Sequence, residues 1–126
     1  LLERVLTADA PAPIGPYNQA IRAGGFLFCS GQIPIDPVTG EVVQGDIAAE
    51  TRQVMKNVGA VLRAAGASFA EVVKTTIFLT DMADFAAVNA VYGESFTETA
   101  PARSTVAVAA LPRGSHVEVE VVAIVD

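Results

Sequence analysis

The run Val117-Glu118-Val119-Glu120-Val121-Val122-Ala123-Ile124-Val125 constrains the fold more than any other stretch of the chain. Successive side chains of a strand point to opposite sides of a sheet, so this run has two faces. Val117, Val119 and Val121 make one; Glu118, Glu120, Val122 and Ile124 make the other. The first face needs helices packed on it. The second is half acidic and half apolar, so it is a surface that another subunit would cover. Ser104–Ala110 reads as a companion strand, with Val106 and Val108 on one face and Arg103, Thr105, Ala107 and Ala109 on the other. If both valine faces meet the helices, Arg103, Thr105, Glu118 and Glu120 share the far side of the sheet.

The helices follow from apolar spacing. Ile47, Val54, Val58, Val61, Leu62 and Ala65 recur at helical intervals, with Glu50, Gln53, Lys56, Asn57 and Arg63 on other faces. Asp46 suits the N-cap and Gly66 the position past the end, so a helix is predicted over 46–65. Phe85, Val88, Tyr92 and Phe96 step by three, four and four, giving a second helix that starts at Asp81 or Asp84 and stops before Pro101. Between the helices, Glu71 to Thr80 has a β-branched and aromatic bias, which favours a strand. Ser68 with Glu71 has the spacing of a capping box and leaves room for a short turn before it. Near the start, Pro11, Pro13 and Pro16 predict a loop over 7–18. Gly24-Gly25 between Ala20–Ala23 and Phe26–Cys29 is a hairpin signal. Ser30-Gly31-Gln32 then breaks that strand, and a second turn at Asp36–Gly40 leads into Glu41-Val42-Val43. The predicted order is ββ(β)αβαββ, a single two-layer α+β domain over 1–126 with two helices on one face of a mixed sheet.

Composition narrows the partners. The chain has 126 residues, 52% apolar and 17% charged, with net charge −6. A domain this small buries a modest fraction of its surface, so the surplus apolar side chains predict cover by a partner subunit in a symmetric oligomer; the bland alternative is a generous core helped by many alanines. The acidic balance and scattered basic residues argue against a phosphate-backbone partner. No apolar run approaches the ~20 residues of a membrane helix. No secretory signal is expected, since Leu1-Leu2 runs directly into Glu3-Arg4, and a cytoplasmic location follows as the expectation. Cys29 is the single cysteine, which excludes an internal disulfide or a cysteine metal cluster; it reads as an inert core thiol.

Each polar candidate has a bland reading. Arg103 could form a cross-strand ion pair with Glu118 or Glu120 that only fixes packing. It could instead clamp a carboxylate with its planar fork, with a glutamate as base. Tyr17 is a packing tyrosine or a pocket wall. Ser30-Gly31 is a turn, or a place where backbone groups reach a ligand because glycine permits close approach. Asn89 reads as a buried amide bonded to backbone, His116 as a solvated loop residue, and Asp81 and Asp84 as helix caps. No nucleophile triad, phosphate loop or metal-spaced histidine set is visible, so metal and nucleophilic chemistry have no support.

Ile14-Gly15-Pro16-Tyr17-Asn18-Gln19-Ala20, Ser30-Gly31-Gln32-Ile33-Pro34, Asp84-Phe85 with Val88-Asn89 and Tyr92, Pro101-Ala102-Arg103-Ser104, Leu111-Pro112 and Val117-Glu118-Val119-Glu120 occur in this order along nearly the whole chain. In order and spacing the sequence resembles the RidA/YjgF family of reactive-intermediate deaminases. The resemblance implies a chorismate-mutase-like fold and a homotrimer, its sheets around a central barrel and its clefts between subunits. It implies hydrolysis of 2-imino acids, which arise from 2-aminoacrylate left by pyridoxal-phosphate enzymes, to 2-keto acids and ammonia without a cofactor. It matches the clamp arginine to Arg103, the acidic residue to Glu118, the loop tyrosine to Tyr17, backbone contacts to Ser30 and Gly31, and the helix asparagine to Asn89. Thr105 stands where the family often has cysteine. That leaves a hydroxyl able to hydrogen-bond and opens the question of substrate preference. Two rivals remain: a non-catalytic carboxylate-binding or regulatory trimer, and a chorismate-mutase-type isomerase, which would need more cations than Arg103 alone.

Overall fold

In a computed structural model that describes residues 1–126, the chain forms one six-stranded mixed sheet with two helices. In chain order the elements are β1 (Glu3–Val5), β2 (Ala20–Ala23), β3 (Phe26–Gln32), α1 (Ile47–Ala64), β4 (Val72–Leu79), α2 (Phe85–Gly93), β5 (Ala102–Ala107) and β6 (Val117–Ile124). The strands lie in the order β1-β2-β3-β6-β4-β5. All neighbours are antiparallel except β4 and β5, which run parallel because α2 crosses between them.

Local chemistry sets the element ends. Asp46 caps α1 by accepting from the Ala49 N–H at 2.9 Å, a contact worth about 1 kcal/mol. Gly66 follows the helix with φ 78°, where a Cβ would be strained. Ser68 and Glu71 form the expected capping box, around one short 3-10 turn before β4. Gly24 and Gly25, with φ of 57° and 82°, close the β2–β3 hairpin. The core lies between α1 and the central strands: Val54, Val58, Val61 and Leu62 of α1 meet Leu27, Ile77, Leu79, Val117, Val119 and Val121, all 2% exposed or less.

Several expectations need correction. β1 is an additional strand, paired with β2. Glu41–Val43 is not a strand; Val42 makes only an isolated bridge to Ile35. The Ser30-Gly31-Gln32 segment breaks the regular ladder between Cys29 and Gln32, but β3 continues through it to Gln32. α2 starts at Phe85 with Asp84 in the N-cap position, the later of its two expected starts. Asp81 caps a preceding 3-10 turn, whereas Asp84 makes no side-chain cap. Phe96 lies beyond α2 and stacks on Tyr92 and Phe69. β5 covers 102–107 rather than 104–110.

The largest correction concerns faces. β5 does not adjoin β6; β4 lies between them. Arg103, Thr105 and Ala107 are in register with Thr75, Ile77 and Leu79, the buried row that faces the helices. Glu118 and Glu120 are in register with Phe78 and Thr76, on the other face. Arg103 and Thr105 therefore lie on the helix side and the two glutamates on the far side. No Arg103–glutamate ion pair forms. Val106, expected against the helices, is on the far face and 41% exposed. The far face remains half apolar: Phe26, Phe28, Val106 and Ile124 are 41–49% exposed there.

Candidate functional site

The predicted site residues fall into two groups on one chain. The first group surrounds Arg103 on edge strand β5. Its Nη1 donates to Asn89 Oδ1 at 2.6 Å. Its guanidinium carbon lies 5.5 Å from the Phe85 ring centre and 5.2 Å from that of Tyr92. Phe85, Asn89 and Tyr92 are spaced i, i+4, i+7, so α2 presents them as one stripe toward β5. Asn89 is thus exposed and bonded to a side chain, contrary to the buried, backbone-bonded reading. Tyr92 is anchored through its hydroxyl to Thr75 Oγ1 at 2.6 Å. Burial pushes its pKa up; the Thr75 hydrogen bond and the Arg103 charge oppose that shift. The result is a cation oriented by two rings and an amide, with no acidic partner. Beside it, Thr105 Oγ1 is buried and has no hydrogen-bond partner in the chain. An unsatisfied buried hydroxyl costs about 1–3 kcal/mol.

The second group lines a cavity of about 470 Å³ that includes Tyr17, Ser30, Gly31, Arg113 and Glu118. The proline-rich loop forms one wall. It is held by Gln19, whose buried amide accepts from the Thr7 N–H at 2.7 Å and donates to the carbonyls of Thr7, Ala10 and Pro11. Tyr17 is half exposed, and its hydroxyl accepts from the Ile14 N–H at 3.2 Å. Ser30 Oγ donates to the Asn18 carbonyl at 2.6 Å, so this hydroxyl ties loop to strand and its proton is already used. Gly31 permits close approach: a Cβ there would overlap Glu118 Oε2 and force the carboxylate to move. Glu118 lies across that glycine, half-buried, with no hydrogen bond and no ion pair. Burial raises its pKa above the ordinary carboxylate value, and the nearby Glu120 charge raises it further.

Four predicted residues, Tyr17, Ser30, Gly31 and Glu118, thus share one cavity. Arg103, Asn89 and Thr105 share another surface. The chain does not bring the two groups together. Three positioning residues were not identified from sequence. Phe85 and Tyr92 belong to the apolar stripe and to the motif around Asn89, but neither signal shows that they face Arg103. Gln19 stands in the motif Ile14–Ala20, but nothing in the sequence shows that its amide holds the loop. Glu50 and Asn57, expected on outer faces of α1, are buried; Asn57 donates to the carbonyls of Ile33 and Ile35 below the cavity. His116 is exposed but not free. Its Nδ1 lies 2.7 Å from Glu50 Oε2, and its N–H donates to Glu50 Oε1 at 3.1 Å. Cys29 is buried, and burial pushes its thiol up to about 12, which makes it inert at neutral pH. No three His, Cys, Asp or Glu side chains converge to hold a metal ion. No helix is long and apolar enough to cross a membrane.

Known proteins share both the sequence pattern and the architecture. The sequence model of the family described as endoribonuclease L-PSP matches residues 7–125. A RutC family protein of Pyrococcus horikoshii is 55% identical over 121 residues, 96% of each chain. The human 2-iminobutanoate/2-iminopropanoate deaminase is 49% identical over 125 residues, covering 98% of this chain and 91% of the human one. A crystal structure of Escherichia coli TdcF with bound serine superposes with a TM-score of 0.94 at 41% identity, covering 98% of this chain and 99% of that one. With a single family model spanning nearly the whole sequence, and relatives matched from end to end, the chain belongs to the endoribonuclease L-PSP family, which is the RidA/YjgF family its motifs resemble.

Proposed function

We propose that the protein hydrolyses small 2-imino acids of the 2-iminopropanoate type to 2-keto acids and ammonia, with no cofactor, at sites built between subunits of a homotrimer. The observation that carries this reading is the separation of the two groups. Arg103 is an oriented cation without an anion, and Glu118 is a partly buried carboxylate without a cation. Each lacks what the other supplies. A neighbouring subunit that lays its β5–α2 surface over the Glu118 cavity would complete the site. The half-apolar far face of the sheet supplies the surface for association; three such sheets around an axis would enclose a barrel, in the chorismate-mutase-like arrangement.

In this site Arg103 takes the substrate carboxylate bidentately, held in aim by Asn89, Phe85 and Tyr92. The imine carbon then lies over Gly31 and Glu118, with Tyr17 as a wall and Thr105 Oγ1 as a further polar contact. Glu118 accepts a proton from water as its oxygen bonds to the imine carbon, and the imine nitrogen is protonated. The carbinolamine then collapses: the carbonyl forms, the C–N bond breaks and ammonia leaves. Overall, one water and one imino acid give one keto acid and one ammonia. A raised pKa suits Glu118 for both taking and returning the proton, a role typically worth ~10²–10⁴-fold.

The named deaminase relative and the serine bound to the TdcF structure support a small amino-acid-like ligand. The nuclease description of the family finds less support in this chain, whose net charge of −6 opposes a polyanion. A cytoplasmic location fits a substrate made by intracellular enzymes. The test is ammonia and pyruvate release from 2-iminopropanoate generated in situ by an amino-acid oxidase, with wild type and Arg103→Ala compared. Acceleration by wild type alone supports the reading. No acceleration by folded wild type, across alanine-, leucine- and glutamate-derived imines, would favour a carboxylate-binding protein instead.

A further inference from the structure

Arg113 is the single non-glycine residue with a left-handed backbone, at φ 61° and ψ 23°. A glycine would relieve that strain, and strain of this kind concentrates where a side chain has a task. The turn that carries it, Pro112–Gly114, lies between β5 and β6 and feeds directly into the strand bearing Glu118. Arg113 lines the same cavity as Glu118, yet the two opposite charges do not pair. Its guanidinium makes one long contact within the chain, Nη2 to the Gly40 carbonyl at 3.4 Å. Arg113 is therefore exposed and without an anionic partner. The cavity, at about 470 Å³ within one chain, is in the size range of pockets that take ligands larger than a three-carbon imino acid. Ile14, Ile33 and Ile35 supply apolar wall for a longer aliphatic stem.

We propose that Arg113 is a specificity-determining residue that binds the distal carboxylate of dicarboxylic 2-imino acids, the class derived from glutamate, while Arg103 of the adjoining subunit holds the α-carboxylate. The inference rests on the imine-hydrolase reading of the site and adds the substrate's side-chain class to it. Arginine fits the role because its fork meets a carboxylate bidentately. The chain's net charge of −6 disfavours the approach of any dianion, so a preference for one has to come from a local cation.

The test compares kcat/KM for 2-iminoglutarate and 2-iminopropanoate, both generated in situ, in wild type, Arg113→Gln, Arg113→Lys and Arg113→Gly. Wild type should favour the dicarboxylic substrate. Arg113→Gln and Arg113→Gly should each lower the specificity ratio by about tenfold or more, the size of a lost charge-assisted hydrogen bond. Arg113→Lys, which keeps the charge but loses the fork, should keep only part of the preference. Because Arg113→Gly removes the charge while relieving the backbone, its agreement with Arg113→Gln separates charge from folding. An unchanged ratio in both variants would overturn the assignment. A parallel calorimetric titration with 2-oxoglutarate and pyruvate keeps the two readings distinct. If wild type turns over neither imine, the hydrolase reading fails. The Kd ratio of the two keto acids then decides Arg113 by itself: a tenfold fall in Arg113→Gln upholds it, and no change rejects it.

Discussion

The Arg103 surface and the Glu118 cavity solve opposite problems. Arg103 projects from an edge strand, where a long side chain would ordinarily be free to move. Asn89, Phe85 and Tyr92 remove that freedom, so its entropy is spent within the chain before any ligand arrives. Glu118 projects from the central strand β6, paired on both sides, and needs no such holding. There the surroundings act on charge: burial and Glu120 both make the carboxylate a stronger proton acceptor than a free one. One region fixes direction and the other tunes basicity. Neither contains both functions.

The comparison breaks most severely at Gly31. Gly31→Ala places a Cβ on Glu118 Oε2 and must displace the carboxylate. Imine hydrolysis should fall by more than about 10²-fold, as displacement of a reacting group by ~1 Å does, while circular dichroism remains that of wild type. Normal activity in that variant would mean that Glu118 works from elsewhere.

A smaller effect is expected on the cation side. Phe85→Leu removes one ring from Arg103 and leaves Asn89 in place. At an exposed site such a contact is worth about 0.5–1 kcal/mol, so KM should rise roughly 2–5-fold with kcat nearly unchanged. A loss in kcat alone would show that the ring serves the chemical step and not carboxylate binding.

The smallest effect is a shift in pH dependence. With Glu118 as base, kcat/KM falls as pH drops through its raised pKa, because the protonated form cannot accept a proton. Glu120→Gln removes the like charge, so the carboxylate ionises more easily and the acidic limb should move to lower pH. The same shift has a stability consequence. A carboxyl whose pKa is raised in the folded state holds its proton more tightly there than in the unfolded chain. Its contribution is complete below the unfolded pKa and is lost as pH rises through the folded one. Glu118→Gln should therefore raise the melting midpoint at neutral pH, with the difference closing toward the ordinary carboxylate range.

Much of the scaffold was legible because its signals are local. Asp46 and Gly66 mark the ends of α1, Ser68 and Glu71 mark a cap, and Gly24-Gly25 marks a hairpin; each depends only on nearby backbone. The alternation in β6 also read correctly, since both its neighbours force one face inward. The same reasoning failed on β5. Its valines carry no directional information, because an edge strand is exposed on both faces and Val106 can point outward. Its register comes from the α2 crossover onto β4, a long-range event that no turn residue encodes. That error placed Arg103 beside Glu118 and hid the division of the site. The aromatic cradle was hidden for a related reason: Phe85 and Tyr92 look like core residues until β5 is known to lie over α2. Glu50 and Asn57 break helical patterning because they bond to His116 and to the loop carbonyls at 33 and 35, which only the tertiary fold brings near.

The central claim is that each active site takes Arg103 from one subunit and Glu118 from another. It is tested most directly by mixing two inactive variants, Arg103→Ala and Glu118→Gln, through co-refolding at equal amounts. In a trimer with one site per interface, random mixing gives mixed trimers about three-quarters of the time, each with one intact site of three, so activity should recover to about a quarter of wild type. A mixture no more active than its parents, with mixed trimers confirmed by mass, would contradict the account.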